Sequence, residues 1–124
     1  MAIAVDPQRT IRYVLLQDAA LPLPEQTTFL LKTFSARELA QIEDGSASIS
    51  ATGEQRVYTG SMRLRALEIA LVGWENFKER SGLAVPFDEV NRGKNLDRLA
   101  PEWRREMANH VLAETRLTEA EVKN

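Results

Sequence analysis

Apolar residues alternate with polar ones near the start of the chain, and further on they recur every third or fourth position. Two kinds of element are therefore expected. Over Thr10–Leu16, Ile11, Tyr13 and Leu15 share one face of a strand, with Arg12, Val14 and Leu16 on the other. A loop follows over Asp18–Gln26, where Pro22 and Pro24 bar helix and favour extended backbone. Thr27–Phe34 reads as a second strand, with Phe29 and Leu31 pointing one way and Leu30 the other. The two strands suggest an antiparallel hairpin, which needs a cover on one face because a lone hairpin is only marginally stable.

That cover is expected to begin at Ser35. The run Ser35-Ala36-Arg37-Glu38 has the form of a capping box, and Phe34 and Leu39 stand at the staple positions around it, so a short helix to about Glu43 should follow. Residues 44–56 are small, polar and glycine-bounded, and read as a flexible loop dividing the chain. Over Ser61–Phe77, Leu64, Leu67, Ala70, Leu71, Trp74 and Phe77 follow helical spacing, which predicts an amphipathic helix ending before Gly82. Gly82 suits a left-handed position after it. A turn over Ser81–Pro86 leads to a helix that Asp88 can cap, running to about Leu99 and weakened by Gly93. Pro101 opens a further helix, with Trp103, Met107 and Val111 on one face. Thr118-Glu119-Ala120-Glu121 has the form of a second capping box, flanked by Leu117 and Val122. The resulting fold class is α+β. One domain over residues 1–124 comprises a hairpin with a short helix (1–43), the loop (44–56), a three-helix half (57–117) and a terminal segment (118–124).

Composition narrows the chemistry. With no cysteine and one histidine, disulfides, thiolate nucleophiles and a multi-histidine zinc site have no residues to build them. Residues 1–60 hold 5 basic and 7 acidic side chains, and residues 61–124 hold 11 of each, so neither half offers the basic excess that nucleic acid requires. No stretch reaches the roughly 18 apolar residues of a membrane span. The opening residues lack the basic start and apolar core of a signal peptide. His110 stands four residues from both Glu106 and Glu114, a spacing that can serve acid–base chemistry but more often makes a surface ion pair. The glycines at 45, 53, 60, 73, 82 and 93 are scattered, and no phosphate-cradling loop is present. The expectation is a non-enzymatic, cofactor-free domain that binds other proteins. Its candidate binding residues are Trp74, Phe77 and Phe87, aromatics of the kind that anchor interfaces, and the neighbouring Pro86, although Trp74 and Phe77 are expected on the core side of their helix.

Gly73-Trp74-Glu75-Asn76-Phe77, a charged turn with glycine, Val85-Pro86-Phe87 and a leucine-bearing segment to Leu99 resemble the small tail assembly chaperones of long-tailed bacteriophages. Phe29–Asp44 resembles a segment that recurs in the same family, and the two stretches cover 45 of 124 residues. The resemblance implies a phage morphogenesis factor in the host cytoplasm that coats the tape-measure protein, recruits tail-tube subunits and is absent from the virion. It also implies two product lengths, and the helix start expected at Thr118, with only six residues after it, would fit a helix continued in a longer product. The alternative is a structural virion protein, such as a head–tail connector or tail terminator. A homo-oligomer is compatible with both readings.

Overall fold

The computed structural model describes residues 1–4, 9–44 and 60–123, with side chains described as far as Thr115 in the last helix. The fold is α+β. Strand β1 (Thr10–Val14) pairs antiparallel with β2 (Thr28–Lys32), in a register that sets Tyr13 opposite Phe29 and Thr10 opposite Lys32. The expected alternation holds: Phe29 and Leu31 are fully buried, and at the end of β1 the chain turns Leu15 inward and leaves Leu16 exposed. Helix α1 (Ala36–Asp44) starts where the capping box places it. The Ser35 backbone N–H donates to Glu38 Oε1 at 2.9 Å, and the Glu38 N–H donates to the Ser35 hydroxyl at 3.2 Å. Phe34 and Leu39 are both buried beside this cap. The loop expected over residues 44–56 lies outside the described residues beyond Asp44, the last residue of α1.

Lys32 Nζ reaches Glu38 Oε2 at 2.6 Å, tying the end of β2 to the first turn of α1. Burial pushes the Glu38 carboxyl up, but the bonds from Lys32 and Ser35 outweigh it and hold the group below its ordinary value of 4.5. A carboxylate depressed in the folded state stabilises the protein fully above its unfolded value, and that contribution disappears as pH falls through the lower folded value. Acid unfolding followed by circular dichroism should therefore lose part of its slope below pH 4.5 in Glu38→Gln. An unchanged acid limb would refute the coupling. Ser35→Ala should cost about 1 kcal/mol at neutral pH through loss of the cap.

The largest departure from the sequence pattern lies over residues 60–75. Helix α2 (Gly60–Ala70) stops at Ala70, and the chain continues directly into strand β3 (Leu71–Glu75) instead of carrying the helix to Phe77. Strand β3 completes a three-stranded sheet in the order β1-β2-β3, with Phe29 opposite Trp74, Leu30 opposite Gly73, and an irregularity between Leu30 and Leu31. The physical reason is the open edge of β2. A two-stranded ribbon needs a third strand or a helix against it, and Leu71–Glu75 has the branched and aromatic residues that suit a pleated surface. The switch is held by Arg92, whose guanidinium donates to the carbonyls of Ile69 and Leu71 on either side of the junction. The buried face of α2 is Met62, Ala66, Leu67 and Ala70, so Leu64, expected inside, is exposed.

The helix expected from Asp88 to Leu99 is only a single turn, α3 (Gly93–Leu96). Asp88 does accept from backbone N–H groups, those of Val90 and Asn91 at 3.0 and 2.8 Å, but these bonds close a side-chain-capped turn rather than a helix. The buried Asn95 locks that turn by bonding both backbone groups of Asp88. Helix α4 (Pro101–Lys123) begins at Pro101 as expected and then runs on without a break. The run Thr118–Glu121 therefore lies inside α4 and starts no helix. An N-cap residue must leave helical backbone geometry, and here a helix already four turns long carries the chain through that point.

The core lies between the inner face of the sheet and the helices. Phe29, Leu31 and Leu71 from the strands meet Ala66 and Leu67 of α2 and Met107, Val111 and Leu112 of α4. The Thr115 hydroxyl is buried and satisfied, donating to Val111 O at 2.9 Å and accepting from the Phe34 N–H at 3.4 Å. Among the described residues no helix is long and apolar enough to cross a membrane.

Candidate functional site

Chain reversal after β3 brings the aromatic residues together. Phe77 and Val85 face each other across a tight turn in which the Val85 N–H donates to Phe77 O, the Glu79 N–H to Leu83 O and the Gly82 N–H to Glu79 O, each at 2.8 Å. Gly82 has φ +92°, so its left-handed position is as expected, but it closes this turn and not a helix end. Trp74 Nε1 donates to Val85 O at 2.7 Å, pinning the turn against β3. Its ring meets Phe77 and Phe87 edge-on with centroids 4.9 Å from each, and Phe29 at 6.3 Å. Three of the four candidate residues thus form one half-buried aromatic cluster leaning on the core, and Pro86 lies exposed beside it. They do so from a strand and a turn, not from the ends of two helices.

Phe77 also faces a groove of about 410 Å³ that the sequence pattern does not reveal. Phe77 and Trp103 line it with ring centroids 6.3 Å apart, over the fully buried Phe29. One wall is the β1–β2 connection, which folds as two short 3-10 turns, Leu16–Asp18 and Leu23–Glu25. The connection is clasped from several sides. Asn76 donates from Nδ2 to Pro24 O at 2.9 Å and to Gln26 O at 3.0 Å, while the Thr27 hydroxyl donates to Asn76 O at 2.8 Å. Trp103 Nε1 donates to Gln17 Oε1 at 3.1 Å, and Gln26 Nε2 to Leu21 O at 3.0 Å. The clasped loop carries three leucines outward: Leu16 is 74% exposed, Leu21 41% and Leu23 80%.

Asn76 holds a left-handed backbone, φ 57°, which asparagine tolerates better than most residues. Asn76→Ala should therefore cost about 1–3 kcal/mol, combining the backbone strain with the loss of two side-chain bonds. Asn76→Gly, which removes the strain alone, should recover part of it. Equal unfolding midpoints for parent and Asn76→Ala would contradict the clasp.

His110 is placed away from this groove. Its ring lies 4.5 Å from that of Tyr13, and the neighbouring Glu106 is taken up by the Tyr13 hydroxyl at 2.6 Å and the Leu16 N–H at 2.9 Å. Glu114 accepts from Arg9 at 2.8 Å. Burial first, and then the bond to Glu106 and the charge of that carboxylate, push the Tyr13 phenol well above its ordinary range. Glu106 thus serves as an anchor between β1 and α4, and among the described residues His110 forms no hydrogen bond with it.

The leucines of the connection, Asn76 and Trp103 as a groove residue are the features that sequence reasoning missed. The run Leu21-Pro22-Leu23-Pro24 was the available signal, since it is apolar at both leucines yet barred by its prolines from any element that could bury them. Set against protein-family models, curated proteins and solved structures, the chain gives no match to any of them.

Proposed function

We propose that this chain is a non-enzymatic bacteriophage tail morphogenesis factor, a tail assembly chaperone that works in the host cytoplasm and binds the tape-measure protein and tail-tube subunits. The observation that carries the protein-binding part is the groove lined by Phe77 and Trp103 and walled by the clasped β1–β2 connection, together with the three exposed leucines on that connection. A groove that sets two aromatic rings among Gln17, Asp18, Glu25, Asn76 and Lys78 suits a partner segment carrying both apolar and polar side chains, such as one edge of an amphipathic helix. Exposed leucines that are scattered singly carry little meaning, whereas three fall here on one short, tied-down connection. The phage assignment rests on the resemblance carried by Phe29–Asp44 and Leu71–Leu99, and the second of these stretches contributes β3, the Phe77–Val85 turn and the Asp88 turn.

The test is co-expression of the full chain with the tape-measure protein, followed by co-purification. The parent should retain the client, and Leu16→Asp combined with Leu23→Asp should reduce its recovery at least tenfold. Because both leucines are solvent-exposed, the unfolding temperature of the double variant should stay close to that of the parent. Full recovery with the double variant would remove the exposed leucines of the connection from the binding reading. Presence of the chain at fixed stoichiometry in purified particles would replace the chaperone reading by a structural virion protein, such as a connector or terminator.

A further inference from the structure

A second site lies where α2 and α4 both begin. Gly60, the first residue of α2, and Pro101, the first of α4, line a pocket of about 190 Å³ together with Leu64 and three arginines, Arg63, Arg104 and Arg105. Arginine side chains on a surface usually lie beside carboxylates. Among the described residues, none of these three forms an ion pair with one.

Two of the three are oriented from behind. Arg63 donates through Nε to Asn109 Oδ1 at 3.2 Å, which leaves both terminal nitrogens of its fork unspent. Arg104, which lines the pocket, donates through one terminal nitrogen to Leu96 O at 3.1 Å and Leu99 O at 2.7 Å, and its other N–H groups make no bond among the described residues. Arg105 is exposed and makes no bond among the described residues, so its guanidinium can close on a ligand. The ends of α2 and α4 add two positive helix-dipole poles; in α4 the Trp103 and Arg104 N–H groups already donate to Ala100 O, which leaves that of Glu102 unbonded among the described residues. Three arginines with no carboxylate partner among the described residues oversupply a single carboxylate, which one guanidinium satisfies with both arms. They match a tetrahedral dianion.

We propose that Arg63, Arg104 and Arg105 form a binding site for a phosphate-type oxyanion, either free or as the terminal phosphate of a small organic ester whose body lies on Leu64 and Pro101. The site is separate from the aromatic groove and does not depend on the phage reading.

The experiment is an NMR titration of the full chain with sodium phosphate at constant ionic strength, with acetate as a control. Saturable shifts are expected at the Nε–H signals of Arg63 and Arg105 and at the amide of Glu102. Arg105→Gln should weaken phosphate about tenfold or more, the usual consequence of losing a charge-assisted bond, and Arg105→Lys should recover only part of it because the fork is lost. Arg105 bears no structural bond, so both variants should keep the parent unfolding midpoint. Phenyl phosphate binding more tightly than inorganic phosphate would assign the organic ester, and equal binding would assign the free ion. Shifts that rise linearly without saturating, an Arg105→Gln constant within twofold of the parent, or acetate binding as tightly as phosphate would each overturn the proposal.

Discussion

Phe29→Ala should lower the stability of this protein by about 3–5 kcal/mol, the range found for removing a large buried ring. Phe29 has no exposed surface, and it stands in the middle strand with Tyr13 opposite on one side and Trp74 on the other. Its ring meets Phe77 edge-on at 5.4 Å and Trp74 at 6.3 Å, so truncation removes two aromatic contacts as well as the apolar transfer term. Domains of this size are stable by only about 5–15 kcal/mol in total, so the variant should be close to unfolding at 37 °C. Urea denaturation with fluorescence and circular dichroism read together would measure the loss. A change under 1 kcal/mol would mean that the ring is not the keystone its burial indicates.

Trp74→Ala should cost slightly less, about 3 kcal/mol, because the ring is only half-buried although it touches three others. Trp74→Phe separates the two parts of that loss. It keeps an aromatic ring against Phe77 and Phe87 but leaves Val85 O without the indole N–H, and should cost about 1 kcal/mol. Under the chaperone reading, Trp74→Ala should also weaken the client, through Phe77, which leans on the indole and faces the groove. Client recovery unchanged alongside reduced stability would separate the aromatic cluster from the binding surface. A Trp74→Ala protein as stable as the parent would refute the packing described here.

Elements whose local signals agree with their tertiary role were legible in the sequence. The hairpin of β1 and β2 alternates as its burial requires, the capping box at Ser35 marks α1, and Pro101 opens α4 where proline has no N–H to lose. The stretch Leu71–Phe77 was misread because Leu67, Ala70, Leu71, Trp74 and Phe77 satisfy a helical repeat, while what decides the matter is the unpaired edge of β2, far away along the chain. Strand preference is expressed through such neighbours more than through the residues themselves. Asp88 shows a related limit, since a carboxylate that bonds the second and third N–H groups after it serves a turn as well as a helix start. The grouping of Trp74, Phe77 and Phe87 was visible from their nearness in sequence. The groove was not, because it joins Trp103 to a proline-rich connection some eighty residues earlier.

Arg92 has a bearing on how this sheet meets other chains. The outer strands of an open sheet present unpaired backbone groups to which foreign strands can add, and proteins protect them with charges, bulges and covering side chains. β3 is one of those outer strands. Its register is interrupted opposite Leu30 and Leu31, and the Leu71 carbonyl at its start is already occupied by the Arg92 guanidinium. The arginine that fixes where a helix becomes a strand therefore also occupies a backbone acceptor at the start of an outer strand, one fewer for a foreign strand to use.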